Sequence, residues 1–223
     1  MDHQPRSSIC SKKGARDRLI RLAATHPDWA LGFEDETWFN RLARPSSHTW
    51  TDAGHPLRLV EQSIPEDDPD PKALACYGLL VRWHPTTAPP QEEVWLRFVE
   101  GRPISGLTTT FLEWSCSKLE ALGKQALLLV WDNASWHISQ EVGGWTQEHN
   151  RWVKGAGKGV RILSCLLPIR SPWLNPIEPR WVHAKRKAVE ADRLLAAGEL
   201  AQRVCKQSGC QYEPHLTIPE KVS

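Results

Sequence analysis

Sulfur chemistry has little to work with in this chain. Its six cysteines (Cys10, Cys76, Cys116, Cys165, Cys205, Cys210) form no C-x-x-C pair, which argues against a zinc ribbon or a dithiol redox motif. Cys76 and Cys165 sit in apolar, strand-like runs, where a small thiol is ordinary core material. The expected state is reduced, without disulfides, in the cytoplasm. No apolar run approaches the ~18 residues of a membrane span. Met1 to Arg21 is polar and basic and lacks the apolar stretch of a secretion signal. Methionine (one) and tyrosine (two) are scarce beside twelve tryptophans. A GC-rich genome would skew codons in that direction. An aromatic surface for stacking nucleic-acid bases is the alternative.

A net charge of +2 excludes little, but its distribution is uneven. Between Arg151 and Arg193 lie ten basic residues and three acidic ones. That excess suits a polyanionic partner, and a solvated basic face would also produce it. The 223 residues, 40% hydrophobic and 24% charged, allow one good core with appendages or two small domains.

Period-two alternation predicts a strand over Trp29 to Phe39, with Trp29, Leu31, Phe33 and Asp35 on one face. Glu34 and Glu36 then lie on the other face, where solvation would suffice for them. Short strands are expected at His48 to Thr51 and Leu57 to Glu61, and a loop at Pro65 to Pro71. Ala73 to Arg82 and Glu93 to Val99 read as further strands. Thr108 to Lys124 reads as a helix, capped by Thr108 or Thr109. Ala126 to Trp131 is a continuous apolar run, suited to a buried strand. A helix interrupted at Gly143-Gly144 is expected from Ile138 to Trp152, then a Gly/Lys loop and a strand over Val160 to Leu167. Helical spacing returns from Pro176 to about Ala197. Residues 1 to about 16 read as disordered, Arg18 to Ala24 as a helical turn or two, and 198–223 as a weak helix followed by a tail. A meander followed by α/β units implies a mixed β-sheet flanked by helices.

Three carboxylates stand at the edges of apolar, structured segments, where an unpartnered charge is costly. Asp35 lies in a strand pattern, or opens a turn if the strand stops at Phe33. Asp132 follows Leu127 to Trp131 directly, at the strand end where open α/β sheets place ligand groups; an Asx turn is the bland alternative. Glu178 fits a capping box, with Asn175 as cap and Pro176 at the first helical position. Pro179 compromises that cap, because it removes a donor. As a set, carboxylates from distant segments suit shared divalent cations and phosphoryl chemistry.

The words around these residues carry more than their spacing. Glu-Asp-Glu-Thr-Trp at 34–38, Trp-Asp-Asn-Ala-Ser-Trp-His at 131–137 and Ser-Pro-Trp-Leu-Asn-Pro-Ile-Glu-Pro-Arg-Trp at 171–181 resemble the DDE transposases of bacterial insertion sequences related to mariner. The resemblance covers roughly residues 18 to 190. It implies a ribonuclease-H-like fold and a catalytic, metal-binding triad of Asp35, Asp132 and Glu178, with two Mg2+ or Mn2+ ions. The implied reaction is cleavage of DNA strands at the element ends and transfer to target DNA, with a water and then a DNA 3′-hydroxyl attacking a phosphodiester. His137 matches a common histidine of the second motif, expected to support the metal site or the DNA. Arg180, Lys185, Arg186 and Lys187 are the expected DNA contacts. The implied partners are element ends and target DNA, with a homodimer on DNA in the nucleoid and no membrane. A relative that binds DNA without cutting it, and a nuclease of the same fold that cleaves without joining, are the alternatives.

Two departures stand out. Between Asp132 and Glu178 lie 45 residues, more than is usual in the family, and a surface insertion at 143–159 would absorb the excess. The family's N-terminal helix-turn-helix finds no counterpart in residues 1–28, a basic extension preceding a catalytic domain at 29–197. An upstream reading frame encoding the DNA-binding part is one expectation that follows.

Overall fold

The computed structural model describes residues 6–42, 63–85, 89–99, 101–189 and 193–217, with side chains from residue 10 onward. The strand candidates at His48 to Thr51 and Leu57 to Glu61 lie outside the described residues. Five strands form one mixed sheet in the order β3-β2-β1-β4-β5. β1 (Trp29–Asn40), β2 (Ala73–Trp83) and β3 (Gln91–Val99) make an antiparallel meander. β4 (Ala126–Trp131) and β5 (Arg161–Leu166) add in parallel on the other side of β1.

β4 shows why its apolar run forms a strand. All six of its residues are buried, and alternate side chains serve two different cores. Leu128 and Val130 join a core with Phe33, Phe39, Trp181 and Ala184. Leu127, Leu129 and Trp131 join one with Tyr77, Phe111, Leu112 and Val142. The first core is covered by α4 (Glu178–Ala188) and α5 (Ala197–Ser208). The second is covered by α2 (Ser105–Ala121) and α3 (Gln140–Ala156). Burying a large side chain such as Phe33 contributes about 1.5–3 kcal/mol, so both layers matter.

Several local expectations are corrected. The N-terminal segment is helical: α1 spans Arg6–Thr25, because Leu19, Ile20, Leu22 and Ala23 dock on the first core. Packing overrides the Ser, Lys and Gly of its first half. α3 runs through Gly143-Gly144 without a break, held by a Ser139 cap and by buried Val142 and Val153. The proposed surface insertion is therefore mostly helix, with its C-terminal turn at Gly157 in the left-handed region (φ 65°). α2 is not capped by Thr108 or Thr109; it starts after Ile104 without a side-chain cap. The Thr108 and Thr109 hydroxyls instead donate back to the Ile104 and Gly106 carbonyls. α4 stops at Ala188; Leu195 lies in a non-helical stretch, 193–196, that leads into a separate α5. Leu200, Ala201 and Val204 of α5 are fully buried, and Leu216 pairs with Val99 at the sheet edge.

Candidate active site

Strand register places the first two carboxylates side by side. Phe33 pairs with Val130 across the parallel β1–β4 ladder, and both face the α4 side. Two residues further on, at the same level and on the same face, stand Asp35 and Asp132. Glu178 comes from the start of α4, which packs on that face. All three line one cleft of ≈ 340 Å³, together with Asn133, Pro168, Arg170, Ser171 and Asn175.

The capping-box reading of Glu178 is corrected. Ile177 occupies the cap position and Glu178 is the first helical residue, so its carboxylate is left to the cleft. Asn175, buried, holds the helix start against β1: its Nδ2 donates to the Glu34 carbonyl at 2.8 Å. Asn133 performs a similar task for the opposite wall, donating to the Leu167 carbonyl at 2.6 Å. α1 contributes as well, with Arg16 Nη1 donating to the Leu174 carbonyl at 2.9 Å.

The three acids differ in their surroundings. Burial, then the Glu178 charge, pushes the Asp35 carboxyl up to about 7, against the Trp181 Nε1–H that donates to its Oδ2 at 2.8 Å. Burial and the Asp132 charge also raise Glu178, and Lys185 opposes them. Asp132 is half exposed, and burial would raise it. The His137 hydrogen bond and the Ala134 N–H outweigh burial and hold it below the usual carboxylate range.

Beneath this cleft lies a buried polar cluster that sequence patterning missed. Glu34 and Glu36 do occupy the face opposite Asp35, but they are not solvated: the α2–α3 layer covers them, leaving side-chain exposures of 0% and 6%. His137 is their partner. Its Nε2 lies 3.0 Å from Glu36 Oε1 and 3.1 Å from Glu34 Oε2, while Nδ1 lies 2.8 Å from Asp132 Oδ1. Trp136 Nε1 also donates to Glu36 Oε1 at 2.7 Å, and the imidazole stacks on Trp131. The Glu34 contact is close but poorly directed, so neither of its oxygens receives a hydrogen bond. Burial first, then the Glu36 charge, raises the Glu34 carboxyl to about 8. Burial would lower His137, but the surrounding carboxylates raise it well above an ordinary histidine. One ligand atom each from Glu34, Glu36 and His137 falls within 4.8 Å of the others. Within that grouping His137 and Trp136 hydrogen-bond Glu36, and Glu34 receives no hydrogen bond. His137, an expected DNA contact, has no exposed side-chain surface and faces Asp132 instead. The available signal was its spacing, five residues after Asp132.

Among the other expected DNA contacts, Lys185, Arg186 and Lys187 are exposed in the last turn of α4. Arg180 is half exposed and ion-paired with Glu92. Tryptophans divide between core and surface: Trp83, Trp95, Trp131 and Trp181 are buried, while Trp38, Trp152 and Trp173 are exposed.

Trp181 depends on a residue that the motifs do not mention. Gly78 faces Asp35 across the β1–β2 ladder, and a Cβ there would collide with the Trp181 ring. Gly78→Ala should therefore cost about 1–3 kcal/mol by overpacking and displace the indole that holds Asp35. A urea midpoint within error of the parent would contradict this.

The family model for DDE superfamily endonucleases matches residues 90–200, a span that contains Asp132 and Glu178. The chain belongs to the DDE endonuclease superfamily. The fold of this DDE domain is ribonuclease-H-like. It superposes on the Mos1 transposase paired-end complex with left transposon end (TM-score 0.60, 12% identity) and on the Mos1 mariner paired-end complex with Mn (0.59, 12%). Each alignment covers 95% of this chain and 57% of the Mos1 chain. The chain thus spans a little over half the length of those proteins. No curated protein sequence matches it. No helix among the described residues is long and apolar enough to cross a membrane.

Proposed function

We propose that the chain is the catalytic domain of a transposase, which cleaves DNA strands at the ends of an element and joins them to target DNA. One observation carries this reading: three carboxylates from β1, the end of β4 and the start of α4 share one open cleft. Their oxygen-only donor set fits a hard divalent cation, and the Asp35 carboxyl, held up to about 7 by burial and by Glu178, lacks the positive charge such an ion would provide.

Asp35, Asp132 and Glu178 would hold two Mg2+ or Mn2+ ions, with which the site could neutralise a phosphodiester and favour in-line attack by an oxygen nucleophile. The protein's own part is positional. His137 fixes Asp132, Trp181 fixes Asp35, and Asn175 seats the helix that bears Glu178. Lys185, Arg186 and Lys187 extend a basic face from the same helix toward the flanking backbone of duplex DNA. The similar Mos1 structures are a paired-end complex with a transposon end and a strand-transfer complex, which supports DNA ends as substrate; a homodimer on DNA is the working form we propose.

The test incubates the protein with Mn2+ and a duplex bearing the element's terminal repeats, beside an Asp132→Ala variant. Nicking by the parent alone is expected, and joined products would distinguish transfer from cleavage only. Retained binding with no nicking by either protein would sink the catalytic reading.

A further inference from the structure

Arg170 is the only basic side chain among the residues lining the acidic cleft. Among the described residues it is also the only non-glycine with a positive φ, at 56°. L-residues adopt that left-handed conformation at an energetic cost, and it persists only where the surroundings enforce it. Here they do. Pro168 and Pro172 bracket the loop, Leu167 N–H is held by the Trp131 carbonyl at 2.8 Å, and Leu174 N–H by the Ser171 carbonyl at 3.0 Å.

Among the described residues the guanidinium has no partner. Some arginines at the surface have carboxylate partners: Arg82 and Arg180 pair with Glu92, and Arg193 and Arg203 with Glu199. Arg170 forms no hydrogen bond or ion pair with a described residue, although three carboxylates line the same cleft. A free guanidinium fork beside carboxylates that it does not engage is matched to a tetrahedral oxyanion placed between them.

We propose that Arg170 is a phosphate clamp, whose guanidinium binds the non-bridging oxygens of a DNA phosphate lying in the cleft. The left-handed backbone roots the side chain on the cleft wall. This deepens the transposase reading and rests on it.

Arg170→Gly separates the two features, since glycine adopts a positive φ without strain. Binding to a labelled duplex is measured in Ca2+ over a salt series, and cleavage in Mn2+. Arg170→Gly should melt no lower than the parent, yet bind DNA on the order of 10-fold more weakly with a salt slope reduced by about one phosphate contact. Arg170→Lys should keep the slope and recover part of the affinity. Parental affinity, slope and cleavage rate in Arg170→Gly would overturn the clamp while leaving the transposase reading intact. If the parent itself fails to bind the duplex, both fall together.

Discussion

Asp35→Asn should abolish metal-dependent strand cleavage, by on the order of 10³-fold or more, while making the metal-free protein more stable at alkaline pH. The carboxyl is raised from an ordinary 3.8 to about 7, first by burial and then by the neighbouring Glu178 charge. An acid whose folded pKa is raised favours the folded state only while protonated. Stability contributed by this group is therefore full below the ordinary value, declines as pH rises toward about 7, and is lost above it. At pH ~8 the penalty in the parent is on the order of 4 kcal/mol. Asparagine carries no such charge, and its Oδ1 can still accept from Trp181 Nε1. Melting temperatures in EDTA should then favour the variant by several degrees at pH ~8 and by much less at pH ~5. Mn2+ should raise the parent's melting temperature far more than the variant's, because the ion supplies the missing charge. Equal stabilisation of both proteins by Mn2+ would remove Asp35 from the ligand set. The opposition between stability and chemistry at one residue is what a site built to await a cation requires.

How much of this was readable in the chain depended on whether the cause was local. β4 was legible to the residue because Ala126–Trp131 is apolar throughout and ends at a charge. The adjacency of Asp35 and Asp132 needed only alternation within each strand, plus a parallel register that sequence does not print. The capping-box alternative for Glu178 fails because the helix starts later than Asn175 and Pro176 suggest, with Ile177 at the cap and Asn175 Nδ2 bonded across to the Glu34 carbonyl. Glu34 and Glu36 looked like solvated alternates of a half-buried strand. Their burial follows from the α2–α3 layer, which no pattern within β1 reveals. α1 was legible only at Arg18 to Ala24 for a similar reason, because only its second half carries the apolar residues that dock it. Gly78 is the clearest case. Its meaning lies entirely in the Trp181 ring that crosses it.

His137→Ala tests the buried support directly, and its expected effect on stability is the largest of any single substitution considered. In the parent, one imidazole stands between Asp132, Glu34 and Glu36, with no side-chain exposure of its own. Its removal leaves Glu34, already without a hydrogen bond to either oxygen, and Glu36, with only Trp136, enclosed in a low-dielectric layer. Breaking a buried ion pair by deleting one partner costs about 3–5 kcal/mol. Urea denaturation at neutral pH should show a loss of that order. The deficit should grow as pH falls from the alkaline range toward 6.5, because an imidazole raised by its carboxylate neighbours contributes stability that is full below its ordinary 6.5 and is lost as pH rises. Cleavage should fall about 10–100-fold in the folded fraction, as for other partners that orient a metal ligand, since Asp132 loses the 2.8 Å bond that aims it. His137→Gln, which keeps an amide donor of similar reach, should recover part of the stability. A His137→Ala protein that matches the parent in urea at both pH values would mean that Glu34 and Glu36 are uncharged in the parent, and that the imidazole bears only on Asp132.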